Sequence, residues 1–168
     1  MSKKVAVLMG SDSDFDTMSA CVKQLKALSI EHDVRVLSAH RSPDETIAYV
    51  RDAEKNGFGV IIAAAGGAAH LAGVCAGACS LPVIGVPMDA TPLGGLDALL
   101  ATVQMPPGVP VATVAVGNFG AHNAAVLAAQ ILAVGDEALA AKMREHKQTM
   151  RESVDKKNAK LQDKLGRL

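Results

Sequence analysis

Aromatic side chains are almost missing from this 168-residue chain, which has 3 Phe, 1 Tyr and no Trp. Without such rings there is no stacking platform for single-stranded nucleic acid, and that class of binder is excluded. An excess of either charge is missing as well. Lysine plus arginine total 17 and aspartate plus glutamate total 17, for a formal net charge of +0. Nothing draws such a chain over long range to a polyanion, so neither nucleic acid nor an anionic membrane is expected as a partner. Cysteine is scarce and odd in number, at 3. No signal peptide precedes the first apolar segment, so a cytoplasmic, reducing setting is expected and a disulfide framework is not. Dinucleotide and triphosphate fingerprints are lacking too, and so is a Gly-x-Ser-x-Gly nucleophile elbow.

One apolar stretch could be mistaken for a membrane span. Residues 56–88 carry no Asp, Glu, Lys or Arg, and Val60–Cys79 has the length that a span requires. Yet that segment holds His70 and four glycines, and alanine supplies most of the rest. Glycine and alanine contribute little transfer energy, and Gly66-Gly67 reads as a break between a strand and a helix. The stretch belongs in a globular core.

What the chain does have is an alternation of short apolar runs with longer helical periods. Val5–Leu8 is continuously apolar, as a strand buried on both faces requires. A helix follows, capped by Ser13 or Asp14, with Met18, Cys21, Leu25 and Leu28 on one stripe. Val34–Leu37 is a second strand. Ser42-Pro43-Asp44-Glu45 then starts a helix, with serine at the cap, proline at the first helical position and a capping-box glutamate; Gly57 ends it. Val60–Ala63 is a third strand, followed by a small-residue helix from about Ala68 to Ala78. Pro82–Val86 and Val109–Val116 are the fourth and fifth strands, with a helix beginning near Gly94 between them, and Gly120–Ala133 is a further helix. This alternation implies an α/β fold of three layers, αβα, around a flavodoxin-like parallel sheet.

The tail differs in character. From Asp136 the chain holds nine basic and six acidic residues, while Leu139, Met143, His146, Met150, Val154 and Leu161 keep a helical stripe. A helix of ~28 residues would be ~42 Å long, more than a domain of this size is wide. The sequence therefore predicts a domain over 1–135 and a C-terminal helical extension over 136–168 whose stripe partly meets another subunit. A frayed, solvated end is the other reading of the last ten residues.

In an open parallel sheet, ligands bind beyond the carboxyl ends of the strands, where strand order reverses. With the order two, one, three, four, five, the loops after the first three strands line one crevice. They are Gly10–Asp14, Ser38–Pro43 and Ala65–His70. The helix opened by Gly10-Ser11 has free N–H groups suited to a phosphate. Asp12 and Asp14 would repel that phosphate unless one turns to sugar hydroxyls, and Arg41 can supply a forked neutralising charge. Together these groups suggest a ribose 5-phosphate. His40 is the side chain best matched to proton transfer near neutral pH, and Gly66-Gly67 lets a ligand approach the backbone closely. Each feature alone also has a plain structural reading: a helix cap, a loop histidine, a tight turn, a core-facing His70. Cys75 and Cys79 share a helix face without a clear third ligand, so they and Cys21 read as core, and no metal is expected.

In this order and spacing, Gly-Ser-Asp-Ser-Asp, Ser-Ala-His-Arg-Ser-Pro and Ala-Gly-Gly-Ala-Ala-His-Leu resemble class I N5-carboxyaminoimidazole ribonucleotide (N5-CAIR) mutase of purine synthesis. The resemblance continues through Leu81–Pro87, Val103–Pro106 and Asn123–Ala125. It implies a rearrangement without metal or cofactor, in which a carboxylate moves from nitrogen to carbon four of the imidazole. The implied path is decarboxylation, recapture of carbon dioxide at carbon, and loss of the carbon-bound proton. It implies His40 as general acid and base, Ser11, Ser13 and Arg41 on the phosphate, and Asp14 on the ribose. Ser38 and His70 would shape the base and carboxylate site, and Gly66-Gly67-Ala68 would hold carbon dioxide. A homo-octamer with C-terminal helices on neighbouring subunits is implied as well. Ala72, Asn118-Phe119 and His122 depart from the family pattern, which leaves the pocket wall and subunit contacts open. Two rival readings are a direct carboxylase of aminoimidazole ribonucleotide and a catalytically silent ribonucleotide-binding module.

Overall fold

The structure, a computed structural model, describes residues 3–168. Its centre is a five-stranded parallel sheet, β1 (Lys4–Met9), β2 (His32–Val36), β3 (Phe58–Gly66), β4 (Val83–Met88) and β5 (Ala112–Thr113), in the order β2-β1-β3-β4-β5. The helices are α1 (Phe15–Ala27), α2 (Pro43–Arg51), α3 (Leu71–Ala78), α4 (Leu96–Val103), α5 (Gly117–Ala133) and α6 (Glu137–Leu165). Because side chains alternate along a strand, each central strand feeds two cores. Val5, Val7, Val60, Ile62, Ile84 and Val86 pack with residues of α1 and α5 on one face. Ala6, Leu8, Ile61, Ala63 and Val83 pack with residues of α2 and α3 on the other. The three-layer fold is the one read from the sequence. None of the helices among the described residues is long and apolar enough to cross a membrane.

Local chemistry moves several boundaries. The first helix is entered through a 3₁₀ turn over Asp12–Asp14: Asp14 holds the cap position of α1 without a side-chain cap bond to it, and the capping bonds are made at Ser11, the cap of the 3₁₀ turn. Ser11 Oγ accepts from the Ser13 amide while Asp14 Oδ2 accepts from the Ser11 amide, closing a capping box one turn early. Ser42 does precede α2, but its side chain makes no cap there, and the expected box with Glu45 does not form. Its hydroxyl donates to the Ser38 carbonyl and accepts from the Ser38 amide, tying the loop after β2 instead. That helix stops at Arg51, with turns before Gly57. α3 starts at Leu71, not Ala68, because Gly67, at φ +61, leads into two tight bonds, Ala69 N to Gly67 O and His70 N to Ala68 O.

The fifth strand shrinks to two paired residues. Pro110 offers no N–H to a ladder, and Gly117, at φ +68, turns the chain into α5. α6 runs 29 residues from an Asp136 cap that accepts from the Leu139 amide at 3.0 Å. It stays helical to Leu165, so the last ten residues are mostly helix rather than frayed end. Only its first turns are held. Leu139 and Met143 are buried, and Lys142 Nζ donates to the Leu28 carbonyl at 3.3 Å.

α5 lies tight against the chain that leads into it. Gly120 is buried, and a Cβ there would collide with the carbonyl oxygen of Ala115. Overpacking of this kind costs roughly 1–3 kcal/mol. Gly120→Ala should therefore lower stability by about that much. An unchanged urea midpoint would show that the backbone yields freely.

Candidate functional site

The parallel register sets the carboxyl ends of three strands side by side. Met9 is level with Val36 on one side and Ala64 on the other, so the next residues leave the sheet together. Between these loops lies a cavity of about 430 Å³. From the loop after β1 it is lined by Gly10, Ser11, Ser13 and Asp14; from the loop after β2 by Ser38, Ala39, His40 and Arg41. The loop after β3 adds Gly66, Gly67, Ala68 and His70. All nine candidate residues drawn from the sequence thus meet in one place. A larger hollow of about 550 Å³ sits at the other end of the sheet, beside Lys3, Ile30 and the first turn of α6, and brings no such set together.

Two side chains carry the permanent charge of the lining. Arg41 is its one cation besides histidine and Asp14 its one carboxylate. Arg41 Nη2 donates to the Gly10 carbonyl at 2.7 Å, while its amide and Nε both donate to Ser38 Oγ, at 3.2 and 3.4 Å. This pins the guanidinium across the mouth of the first two loops. Ser13 Oγ donates to Ser11 Oγ at 2.9 Å, and Ser11 Oγ to Asp12 Oδ1 at 3.2 Å. A cluster of hydroxyls thus stands beside Arg41 at the start of the first helix.

The histidines form the other half. His40 Nε2 and His70 Nδ1 are 2.8 Å apart, with the rings edge to face at a centroid distance of 4.9 Å. A bond between two imidazole nitrogens needs one proton between them, so one ring donates and the other accepts. His70 reaches this position because it stands at the cap position of α3, at the end of the tightly turned loop after β3. It is exposed and lines the cavity rather than facing the core.

Ala90 and Thr91, in the loop after β4, also line the cavity and were not singled out from the sequence. The strand-end rule applied to the fourth strand would have found them. The departures from the family pattern lie elsewhere. Ala72 is buried beside Gly85, and Phe119 and His122 are exposed on α5, outside the lining. The cysteines take no part: burial pushes the Cys21 and Cys75 thiols up to about 12, and Cys79 Sγ donates to the Cys75 carbonyl. Among the described residues no group of three or more His, Cys, Asp or Glu is placed to hold a metal ion.

Asp14 is only 7% exposed. Burial raises its carboxyl above the usual range, opposed by the Ser11 amide bond and reinforced by the neighbouring Asp12 charge. The folded protein thus holds this proton more tightly than the unfolded chain does. Its ionisation costs stability as pH rises through the raised value, and the cost is complete above it. Asp14→Asn removes that cost and keeps an acceptor for the Ser11 amide. Urea unfolding should show the variant gaining on the parent at pH 7 relative to pH 3; an equal difference at both would refute the assignment.

The family profile described as AIR carboxylase matches residues 4–153. A protein from Brucella melitensis named N5-carboxyaminoimidazole ribonucleotide mutase is 53% identical over 154 residues, covering 92% of this chain and 95% of its own. Proteins of the same name from Saccharolobus solfataricus and Escherichia coli are 53% and 46% identical, each covering 90% of this chain and 94% and 89% of their own. The crystal structure of Treponema denticola PurE superposes with a TM-score of 0.86 at 26% identity, over 95% of this chain and 98% of that one. On profile, identity and fold alike, the chain belongs to the AIR carboxylase family.

Proposed function

We propose that this protein is an N5-CAIR mutase of purine biosynthesis, acting in the cytoplasm on N5-CAIR as its small-molecule substrate. The observation that carries the reading is the meeting of Ser11, Ser13, Asp14, Ser38, His40, Arg41, Gly66, Gly67 and His70 in one cavity. That set accounts for each part of the substrate. Arg41 and the Ser11–Ser13 hydroxyls take the 5-phosphate, with the first helix's amino end behind them. Asp14, the one carboxylate in the lining, accepts from the ribose hydroxyls. Ser38 and His70 border the imidazole and its carboxylate.

The reaction moves one carboxyl group and returns every proton. As the N–C bond breaks, its electron pair stays on nitrogen, His40 delivers a proton there, and carbon dioxide is released. Carbon four of the aminoimidazole then attacks the carbon dioxide, forming the new C–C bond. His40 takes up the proton that this carbon loses. Between the two steps His40 lacks a proton, and His70, 2.8 Å away, is placed to share the remaining one. Gly66 and Gly67 leave room for the freed carbon dioxide against the backbone, where confinement makes recapture effectively intramolecular.

We further propose that α6 is an extension over 136–168 that packs on neighbouring copies in a homo-octamer. Its support is the exposed stripe of Met150, Val154, Leu161 and Leu165 beyond the part that α5 covers.

The test is turnover of freshly prepared N5-CAIR without bicarbonate, followed by ultraviolet absorbance, beside a cuvette of aminoimidazole ribonucleotide and carbon dioxide. Conversion in the first establishes the mutase. Conversion in the second alone makes the protein a carboxylase, and silence in both leaves a binding module. His40→Asn should keep ligand binding but lose about 10²–10⁴-fold in kcat, the usual worth of one proton-transfer group; near-normal turnover would remove His40 from that role. Arg41→Ala should raise KM more than it lowers kcat, and an unchanged KM would exclude its phosphate contact.

A further inference from the structure

The fourth wall of the cavity, which the mechanism above does not use, is built by the loop between β4 and α4. Ala90 and Thr91 face Gly66 and Gly67 there. A Cβ placed on Gly66 would lie 2.7 Å from the Ala90 Cβ, and one on Gly67 would lie 3.6 Å from Thr91 Cγ2. The methyl of Thr91 is therefore the part of that side chain nearest the glycine pair.

Its hydroxyl is engaged elsewhere. Thr91 Oγ1 donates to Asp97 Oδ2 at 2.7 Å and accepts from the Leu93 amide at 3.2 Å. An ionised carboxylate can only accept, so the single hydroxyl proton of Thr91 is committed to Asp97. Asp97 stands in the first turn of α4, where the Thr91 hydroxyl first and the helix-start amides second hold its carboxyl below the usual range. Its other oxygen, Oδ1, is buried without a hydrogen-bond partner among the described residues, so the bond from Thr91 is the carboxylate's one side-chain hydrogen bond there. The loop is closed by Gly94 N donating to the Thr91 carbonyl at 3.0 Å. Release of the hydroxyl would let Thr91 rotate about χ1 and exchange its methyl for a polar atom.

We propose that Asp97 and Thr91 are a positioning pair that turns an apolar wall, the Thr91 methyl beside Ala90, toward Gly66-Gly67 so that freed carbon dioxide is retained until carbon four recaptures it. Neither residue is assigned a contact with the reacting atoms. Carbon dioxide has no net dipole and forms weak hydrogen bonds, whereas water seeks donors and acceptors. A wall of two methyl groups with the hydroxyl turned outward favours the first over the second. This inference rests on the mutase reading and its carbon dioxide intermediate.

The readout is escape rather than speed. N5-CAIR with unlabelled carboxylate is turned over in buffer containing ¹³C-bicarbonate, and the label in the product's new carboxylate is measured at early times against an enzyme-free control. Thr91→Ser keeps the hydroxyl and deletes the methyl; Asp97→Ala removes the acceptor. Each should raise the labelled fraction, and the release of aminoimidazole ribonucleotide, by roughly 2- to 10-fold, the ratio that one buried methyl group for Thr91→Ser or one net hydrogen bond for Asp97→Ala supports. A purely structural role would lower the rate and leave the labelled fraction alone, and an unchanged fraction in either folded variant overturns the proposal. Should Asp97→Ala fail to fold, Thr91→Ser decides alone. Absence of N5-CAIR turnover by the unmodified protein would instead sink the mutase reading, independently of either variant.

Discussion

The pocket depends on one constraint, the hydrogen-bonded placement of β1 between β2 and β3. Parallel pairing sends all three chains out of the sheet at the same end. The register makes them leave at the same level, because Met9 is matched to Val36 and to Ala64. Two residues further on stand Ser11, Ser38 and Gly66. A one-residue slip in either ladder would exchange the side chains that a central strand offers to its two cores and lift one loop out of the crevice. Residues far apart in the chain thus become neighbours. Arg41 reaches the Gly10 carbonyl, and His40 reaches His70.

Given that frame, charge does the sorting. One guanidinium and one largely buried carboxylate line the crevice together with a set of hydroxyls. In a chain of zero formal charge, the positive field in the crevice is local and comes from Arg41 and the helix start. The carboxylate lines the crevice while accepting from the Ser11 amide, and it is largely buried. Small residues at the ends of the third and fourth strands let the two loops approach closely, since a Cβ on Gly66 would meet that of Ala90 at 2.7 Å.

Much of this was legible in the sequence. The continuous apolar runs of β1 and β3 and the polar clusters after them gave the sheet, its order and every candidate residue of the crevice. What escaped was decided by competition between equally good local partners. Ser11, Ser13 and Asp14 can each cap a helix; Asp14 takes the cap position of α1, and only the geometry of the 3₁₀ turn gives the capping bonds to Ser11. Ser42 has the spacing of a capping box, yet the Ser38 backbone wins its hydroxyl. Val109–Val116 looks like a strand by composition, but ladder pairing reduces it to Ala112–Thr113. Thr91 was within reach of the strand-end rule, but its bond to Asp97 in the next helix leaves no mark in the sequence.

A helix secured only at its root is a cantilever. α6 is tied down by the Asp136 cap, by Leu139 and Met143, and by Lys142 on the Leu28 carbonyl, all within its first two turns. At 1.5 Å per residue its tip stands ~40 Å from that root, so a tilt of ~10° at the base sweeps the tip by ~7 Å. Packing changes of about an ångström beneath Leu139 and Met143 are therefore magnified several-fold at Leu165. The root sits on the α5 side of the sheet, at the end remote from the crevice, and that is where the aim of the whole arm is set.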